Sequence, residues 1–575
     1  MKKIIFIFLI ACCTANAQKE LWGVTRTTNS SDVQGNIVKF NIDGEDALTM
    51  HHFNYLTGKL PQGKLFLASN GKLYGTATFG GIGSTTNATQ QDGNGVLYEY
   101  DLIFDTYRVV HLFNGTVAAQ VNPSSSLIEP IPGKLYGGTA YGGFYVFDIG
   151  TETVSYLNHT YSFVGMGGIY SDLIKASNGF VYAVSDVSYP CTAADPQPNM
   201  GAVIKINTTT NTAQRVASFS CIGSNGAGSR GTLVEALPNK IFFTSGAGYQ
   251  TLPGQGSPYP AGTIIELNTV TNTLTPKISF DVFNSLGFIP RSLVMGDNGN
   301  LYGVCENGGD TYRSPFTSGV LNKAGTLFEY NPTTNSIVKL TDFLTFSNLP
   351  FTVQKLSSGE LMGNLGYGGL FSYNIYSNSL QLPNSLTYSD PGNQFKTQNL
   401  VEICRKPAYH FLDVDTFDAC AGDNFNYDLQ NSNATNYQWL KDDATIAGQT
   451  TGVLSLTDLT TADAGDYTCL MTNECGTTTT MALHLTVNCL GTNTFATLDK
   501  SIKLYPNPTS NILNVELPQN ISVLVSECAI VNVLGQAVYK ATHADKVDVS
   551  QLQKGVYIIS LETNYGKWNG KFLKE

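Results

Sequence analysis

Charge is scarce in this chain: 13% of its 575 residues are Asp, Glu, Lys or Arg, and the acids outnumber the bases 44 to 33. There is no basic cluster, which argues against nucleic acid as a main partner. Stretches rich in Ala, Glu, Lys and Leu are nearly absent, so a helical protein is excluded. Beyond the N-terminal run 4–10, nothing is long and apolar enough for a membrane helix. Catalytic signatures are missing as well. There is no His-Glu-x-x-His, no Gly-x-Ser-x-Gly, no P-loop and no paired Cys-x-x-Cys. The seven His residues are scattered; His51 and His52 adjoin on one strand, where neighbours face opposite ways, so a metal site there lacks partners. Asp413, Asp415 and Asp418 lack the Gly-anchored calcium loop and read as a solvated hinge. Neither a cofactor nor a metal is expected. Carboxylate pairs for glycoside chemistry are a spatial matter that sequence leaves open.

What is abundant is Gly, at 57, with Tyr and Phe at 30 each. That mix suits many short strands joined by tight turns. The length calls for three or four domains. The N-terminus reads as a secretory signal. Lys2 and Lys3 precede the short apolar run, and Ala15-Asn16-Ala17 is a small-x-small cleavage site that leaves Gln18 first in the mature chain. Leu9-Ile10-Ala11-Cys12 resembles a lipoprotein box, but Cys12 comes very early for one. Export permits disulfides. Without Cys12 and Cys13 an odd number of cysteines remains, so at least one is unpaired or intermolecular.

Leu-Tyr-Gly recurs at Leu73-Tyr74-Gly75, Leu135-Tyr136-Gly137 and Leu301-Tyr302-Gly303. Variants stand at Leu21-Trp22-Gly23, Val181-Tyr182-Ala183, Ile241-Phe242-Phe243 and Leu361-Met362-Gly363. That makes seven units, each with four strand-like pieces; in the second unit they are 64–68, 72–78, 95–101 and 107–113. The third piece ends in Asp or Asn, a turn starter. The fourth usually ends in Phe: Phe53, Phe113, Phe163, Phe219, Phe283. Seven four-stranded units predict a seven-bladed β-propeller over 18–406. The first unit lacks its first strand, and 399–403 is similar to 232–236, so the C-terminal strand is expected to complete the first blade and remove an exposed edge. These residues resemble the Gloeo-Verruco tandem repeat, which implies an extracellular propeller and no transferable activity.

In such a fold the loops between second and third strands emerge on one face. They are long in blades two (79–94), four (187–200), five (248–261) and six (306–324). Tyr189, Tyr249, Tyr259, Tyr312 and Phe316 lie on them among polar residues, which suits stacking on a sugar or gripping a peptide. Cys191 and Cys221 should share this face and pair. Cys305 and Cys404 should lie on opposite faces and not pair.

Residues 407–489 change character. Tyr437-Gln438-Trp439 followed by Asp463-Ala464-Gly465-Asp466-Tyr467-Thr468-Cys469 resembles an immunoglobulin-type sandwich, with Tyr467 as the tyrosine corner. No Cys stands near 425–427, so the usual inter-sheet disulfide is expected to be absent. A Cys420–Cys489 bridge is the first choice and Cys469–Cys475 the alternative. After a polar linker, 490–500, the tail carries Leu504-Tyr505-Pro506-Asn507-Pro508-Thr509, Val531-Asn532-Val533-Leu534-Gly535-Gln536, Gly555-Val556-Tyr557-Ile558-Ile559 and Lys571-Phe572-Leu573-Lys574. By itself it reads as a small β-sandwich. It resembles the type A C-terminal sorting domain of the type IX secretion system, found in Bacteroidetes. The strand readings together predict an all-β protein, and the resemblance implies a secreted or cell-surface protein whose residues 501–575 meet the translocon and a sortase, with membrane association only through surface attachment. The functional expectation is binding or adhesion to an extracellular glycan or protein. A secreted polysaccharide- or peptide-degrading enzyme and a structural surface component are the alternatives.

Overall fold

Apolar alternation between Asn- and Gly-centred turns makes strands along most of this chain. The computed structural model describes residues 19–26, 35–83, 93–161, 167–186, 201–219, 231–245, 249–250, 259–260, 262–281, 285–309, 325–343, 349–366, 369–382, 396–407, 416–429, 433–487, 502–518, 524–542, 545–563 and 566–575. Among these there is no α-helix, only the single 3-10 turns Ala118–Gln120 and Thr461–Asp463. The protein is all-β, in two compact units; residues 431–435 and 472–478 belong to the first, with everything up to 410.

In the first unit the described residues form seven sheets of four or more strands. The Leu-Tyr-Gly positions fall in Lys19–Arg26, Leu73–Phe79, Lys134–Gly138, Val181–Val184, Lys240–Ser245, Leu301–Asn307 and Leu361–Leu365, one per sheet. Sheet one draws on both ends of the repeat region: Lys396–Cys404 pairs antiparallel with Lys19–Arg26, setting Glu20 opposite Ile403 and Trp22 opposite Val401. Each sheet shares an apolar cluster with the next. Trp22 and Val24 pack with Leu73 and Tyr98, Tyr74 and Leu97 with Leu135 and Tyr145, and Tyr136 and Phe144 with Val181 and Ile204. Tyr182 and Val203 meet Ile241 and Ile265, Phe242 and Ile264 meet Leu301 and Phe328, and Tyr302 and Leu327 meet Leu361 and Phe371. Met362 and Leu370 then pack on Leu21, Val38 and Leu400 of sheet one. The series closes on itself, and the repeats fit a β-propeller-like fold. Polar hooks add to this: Ser69, Ser177 and Ser357 each give an amide and a hydroxyl hydrogen to a carboxylate on the following sheet, Glu129, Glu235 and Glu402.

The Gly of Leu-Tyr-Gly has a physical cause. It sits opposite the central residue of the third strand: Gly75 faces Tyr98, Gly137 faces Tyr145, Gly303 faces Phe328 and Gly363 faces Phe371. A Cβ on Gly75 would lie 2.3 Å from the Tyr98 hydroxyl, and one on Gly303 2.4 Å from the Phe328 ring. The aromatic ring lies across the bare backbone. Where the Gly is lost, the aromatic is lost too: Ala183 faces Ile204, and Phe243 faces Ile265.

Six turns between third and fourth strands share one design. Asp101, Asp148, Asn207, Asn268, Asn331 and Asn374 each accept from the two amides that follow at i+2 and i+3. Each turn ends in a left-handed residue, Asp105, Glu152, Asn211, Asn272, Asn335 or Asn378, with φ between 50 and 58°. The residue that closes the fourth strand donates its amide across the sheet: Phe53 to Gly35, Phe113 to Gly95, Phe219 to Gly201, Phe280 to Gly262 and Phe343 to Gly325. In unit five that residue is therefore Phe280 and not Phe283. In unit three it is Leu157, bonded to the Phe144 carbonyl. Phe163 and Phe283 lie outside the described residues.

Thr416–Ala419, Leu483–Val487, Gly465–Asn473, Asn436–Lys441 and Ala444–Thr445 form one sheet, with Gly476–Thr479 pairing Gly465–Asn473, and Phe425–Asp428 pairs with Val453–Leu456 in another. Trp439 is buried, donates its indole N–H to the Thr451 carbonyl at 3.0 Å and meets Tyr427 edge to face. Tyr427 thus packs on Trp439 from the stretch 425–427, which contains no Cys. The Tyr467 hydroxyl donates to the Asp463 carbonyl at 2.6 Å. The Cys469–Cys475 bridge does not form. Cys469 is a free, fully buried thiol inside its strand, whereas Cys475 lies beyond the end of that strand and is bonded to Cys404. Cys420 is also in a disulfide; Cys489 lies outside the described residues.

Candidate functional sites: the long-loop end and the C-terminal clasp

The two ends of the first unit's strands differ. At one end the six turns just described keep one length. At the other the connections run 80–95, 185–201, 246–262 and 308–325 in four sheets, but only 139–143 and 366–369 in two others. A rigid frame with uniform turns on one side and unequal loops on the other concentrates variety on one face. Tyr249 and Tyr259 are on a small ribbon, Tyr249–Gln250 paired with Tyr259–Pro260. Tyr249 stands opposite Pro260 and Tyr259 opposite Gln250, so the two occupy neighbouring rungs and do not face each other. Tyr189, Tyr312, Phe316, Cys191, Cys221, Ala17 and Gln18 lie outside the described residues. The same end also exposes apolar side chains that the sequence reading passed over. Leu56 is 58% exposed, Val117 54% and Tyr141 50%. They sit in sheets one to three, on connections between units or in a short turn, where no length signal marked them.

Titratable groups in the first unit are mostly structural. Glu99, nearly buried, takes the Tyr74 hydroxyl and pairs with Lys72 and Arg108. Among the described residues, Cys404, Glu474 and Cys475 form the one group of three metal-capable side chains, and a disulfide uses its two sulfurs. His51 stacks on Tyr107 with ring centroids 3.6 Å apart, and the buried Nε2 atoms of His51 and His111 have no hydrogen-bond partner. Burial, with His52 adding repulsion, lowers the His51 pKa to about 4, and burial alone lowers His111 and His159. Unfolded imidazoles bind their proton near pH ~6.5, so between there and the folded values the unfolded chain holds more protons. Their contribution to stability is complete above that pH and is lost as pH falls through the window. The Tm of the chain should hold steady down to pH ~6.5 and fall towards pH ~4.5, with a shallower fall in His51→Phe. A Tm that ignores this window would contradict neutral buried imidazoles.

The C-terminal module folds as two sheets, Lys503–Tyr505 with Ile512–Glu516 and Lys546–Asp548, and Ala537–Ala541 with Val525–Asn532, Gly555–Thr563 and Gly566–Lys574. Leu513, Ile530, Val547, Ile559, Leu561, Trp568 and Phe572 fill its core. The tail motifs meet in a clasp. The Asn507 amide donates to the Lys571 carbonyl at 3.0 Å and accepts the Leu573 N–H at 2.9 Å. Thr509, buried, donates its N–H to Leu573 and accepts that of Glu575. The Pro-Asn-Pro-Thr segment therefore holds the last strand through its backbone. Val533 and Leu534, 59% and 78% exposed, cap the neighbouring turn.

Residues 503–575 match the secretion system C-terminal sorting domain of type IX secretion. The chain is a secreted or cell-surface protein, beyond the outer membrane. Residues 13–251 match the Gloeobacter/Verrucomicrobia repeat. No curated protein matches the chain. Among solved structures, TolB from Acinetobacter baumannii is 15% identical, covering 57% of this chain and 64% of its own, at a TM-score of 0.31. The chain thus spans less than two thirds of that protein. A structure of the mitotic checkpoint complex is 11% identical over 63% of this chain and 82% of its own, at 0.35. One of Dscam is 10% identical over 46% and 83%, at 0.14. At such scores none of them bears on function.

Proposed function

We propose that this is a surface binding or adhesion protein: a seven-bladed β-propeller over 18–406, an immunoglobulin-like module over 407–489, a linker over 490–500 and the sorting domain. The long-loop end of the propeller would take an extracellular glycan or peptide. Supporting the architecture are the seven sheets in a closed series, and the Trp439 and Tyr467 contacts of the second unit. The observation that carries the binding reading is the confinement of unequal loops to one end of otherwise uniform units. Selection for packing alone treats both ends of a repeat alike. Tyr189, Tyr249, Tyr259, Tyr312 and Phe316 remain the side chains proposed to contact the ligand, and Cys191–Cys221 the bond proposed to brace their face.

The test is a panel of polysaccharides and peptides offered to the mature full-length chain. One variant has 246–262 replaced by a turn as short as 366–369. Binding should fall at least about tenfold with Tm unchanged, since exposed loops tolerate replacement. Product release from any panel member would move the protein to the enzymes. Undiminished binding in the loop variant would place the site elsewhere.

A further inference from the structure

We propose that the Cys404–Cys475 disulfide is a redox latch on closure of the first unit. The strand Lys396–Cys404 supplies Leu400 and Ile403 to the clusters on either side of sheet one, so its withdrawal would open two interfaces at once. It pairs with Lys19–Arg26 along its length, and among the described residues its polar side-chain and covalent ties gather at the C-terminal end. Ser357 hooks Glu402, and Cys404 is bonded to Cys475. The next residue, Arg405, donates through Nε to the Leu102 carbonyl at 2.8 Å and pairs with Asp105 at 2.9 Å. Its own carbonyl accepts from Asn433 and Asn473, at 3.2 and 2.8 Å. This explains why 431–435 and 472–478, distant in sequence, belong to the first unit. These partners are hydrogen bonds and one ion pair, whereas the disulfide is covalent and joins residues 71 apart in sequence.

The latch is placed to be opened. Cys404 is exposed and Cys475 half-buried, which gives a thiolate access to the bond. Among the described residues the free thiols are Cys305, Cys469 and Cys528; they are buried, and burial raises Cys469 and Cys528 to about 11 and Cys305 further, so none of the three competes as a nucleophile. A dithiol reductant would attack one sulfur, form a mixed disulfide and leave as its own cyclic disulfide. Two electrons and two protons thereby pass to Cys404 and Cys475, which become thiols. With the bond gone, 396–404 is held by non-covalent contacts alone.

Hydrogen exchange followed by mass spectrometry on the mature full-length chain tests this, with and without dithiothreitol. On reduction, amides of 19–26 and 396–404 should exchange at least about tenfold faster, while those of 240–245 and 301–307 keep their rates. The double variant C404S/C475S should show the fast pattern without reductant, and reductant should add nothing in those two strands. That variant separates this bond from the one at Cys420. Should the variant not fold, the reduced natural chain decides alone. Unchanged rates in both strands, or an equal acceleration in all seven sheets, would overturn the latch. Neither result depends on what the long loops bind.

Discussion

Gly75→Ala should destabilise the first unit by about 3 kcal/mol, the upper end for one added methyl in a filled core. The added Cβ would lie 2.3 Å from the Tyr98 hydroxyl and 2.5 Å from its ring carbon. Tyr98 is fully buried between Phe53 and Tyr107 and has no room to retreat. Adding Tyr98→Ile to the same chain recreates the pair that unit four uses, Ala183 with Ile204. The two changes together should cost less than their sum by roughly 1–3 kcal/mol, the range for residues in direct contact. Urea unfolding of the four chains of this cycle measures it. Strict additivity would mean that Gly75 serves only backbone freedom. A companion case is Tyr98→Phe. The Tyr98 hydroxyl is buried without a hydrogen-bond partner, so its removal should stabilise by about 1 kcal/mol. Units six and seven already carry Phe328 and Phe371 there.

Deleting 571–575 should abolish appearance at the cell surface. The deletion removes Phe572 from the core of the sorting domain and all the backbone groups that Asn507 and Thr509 hold. Half of the last strand is lost, and Ile558 and Tyr557 lose their partners Lys571 and Phe572. Loss of a large buried aromatic alone costs about 3–5 kcal/mol, which a small module cannot spare. Asn507→Ala is the graded version: it leaves two backbone groups to water and should reduce surface protein without eliminating it. Digestion of intact cells by added protease, with blotting for the first unit, reads the surface fraction. Normal surface display of the deleted chain would show that recognition does not require the clasp.

Periodic features were legible from sequence. Leu-Tyr-Gly marked the same strand in every sheet, and a closing Asp or Asn marked the turn after the third strand. Both are local signals, repeated often enough to be separated from chance. The pairing of Lys19–Arg26 with Lys396–Cys404 falls on residues singled out by the likeness of 399–403 to 232–236. The reason for the Gly was not legible, because its partner Tyr98 is a cross-strand neighbour and only a register reveals it. Leu157 and Phe280 escape the pattern for a related cause: Phe is a residue type, whereas the position is defined by a hydrogen bond to a carbonyl at the start of the third strand. Cysteine connectivity failed at Cys475, whose partner Cys404 belongs to a segment assigned elsewhere. The long-loop aromatics had only composition behind them, and composition says nothing about which side chains converge.

The pairing of the first strand with the last also sets a timetable. Lys19–Arg26 emerges early in synthesis, but its neighbour on one side is complete only once Cys404 has followed. Until then sheet one has an open edge, and two of the seven shared clusters lack a wall. The cost of joining segments so far apart falls at the very end of assembly. Until the far strand arrives, the first unit stays incomplete.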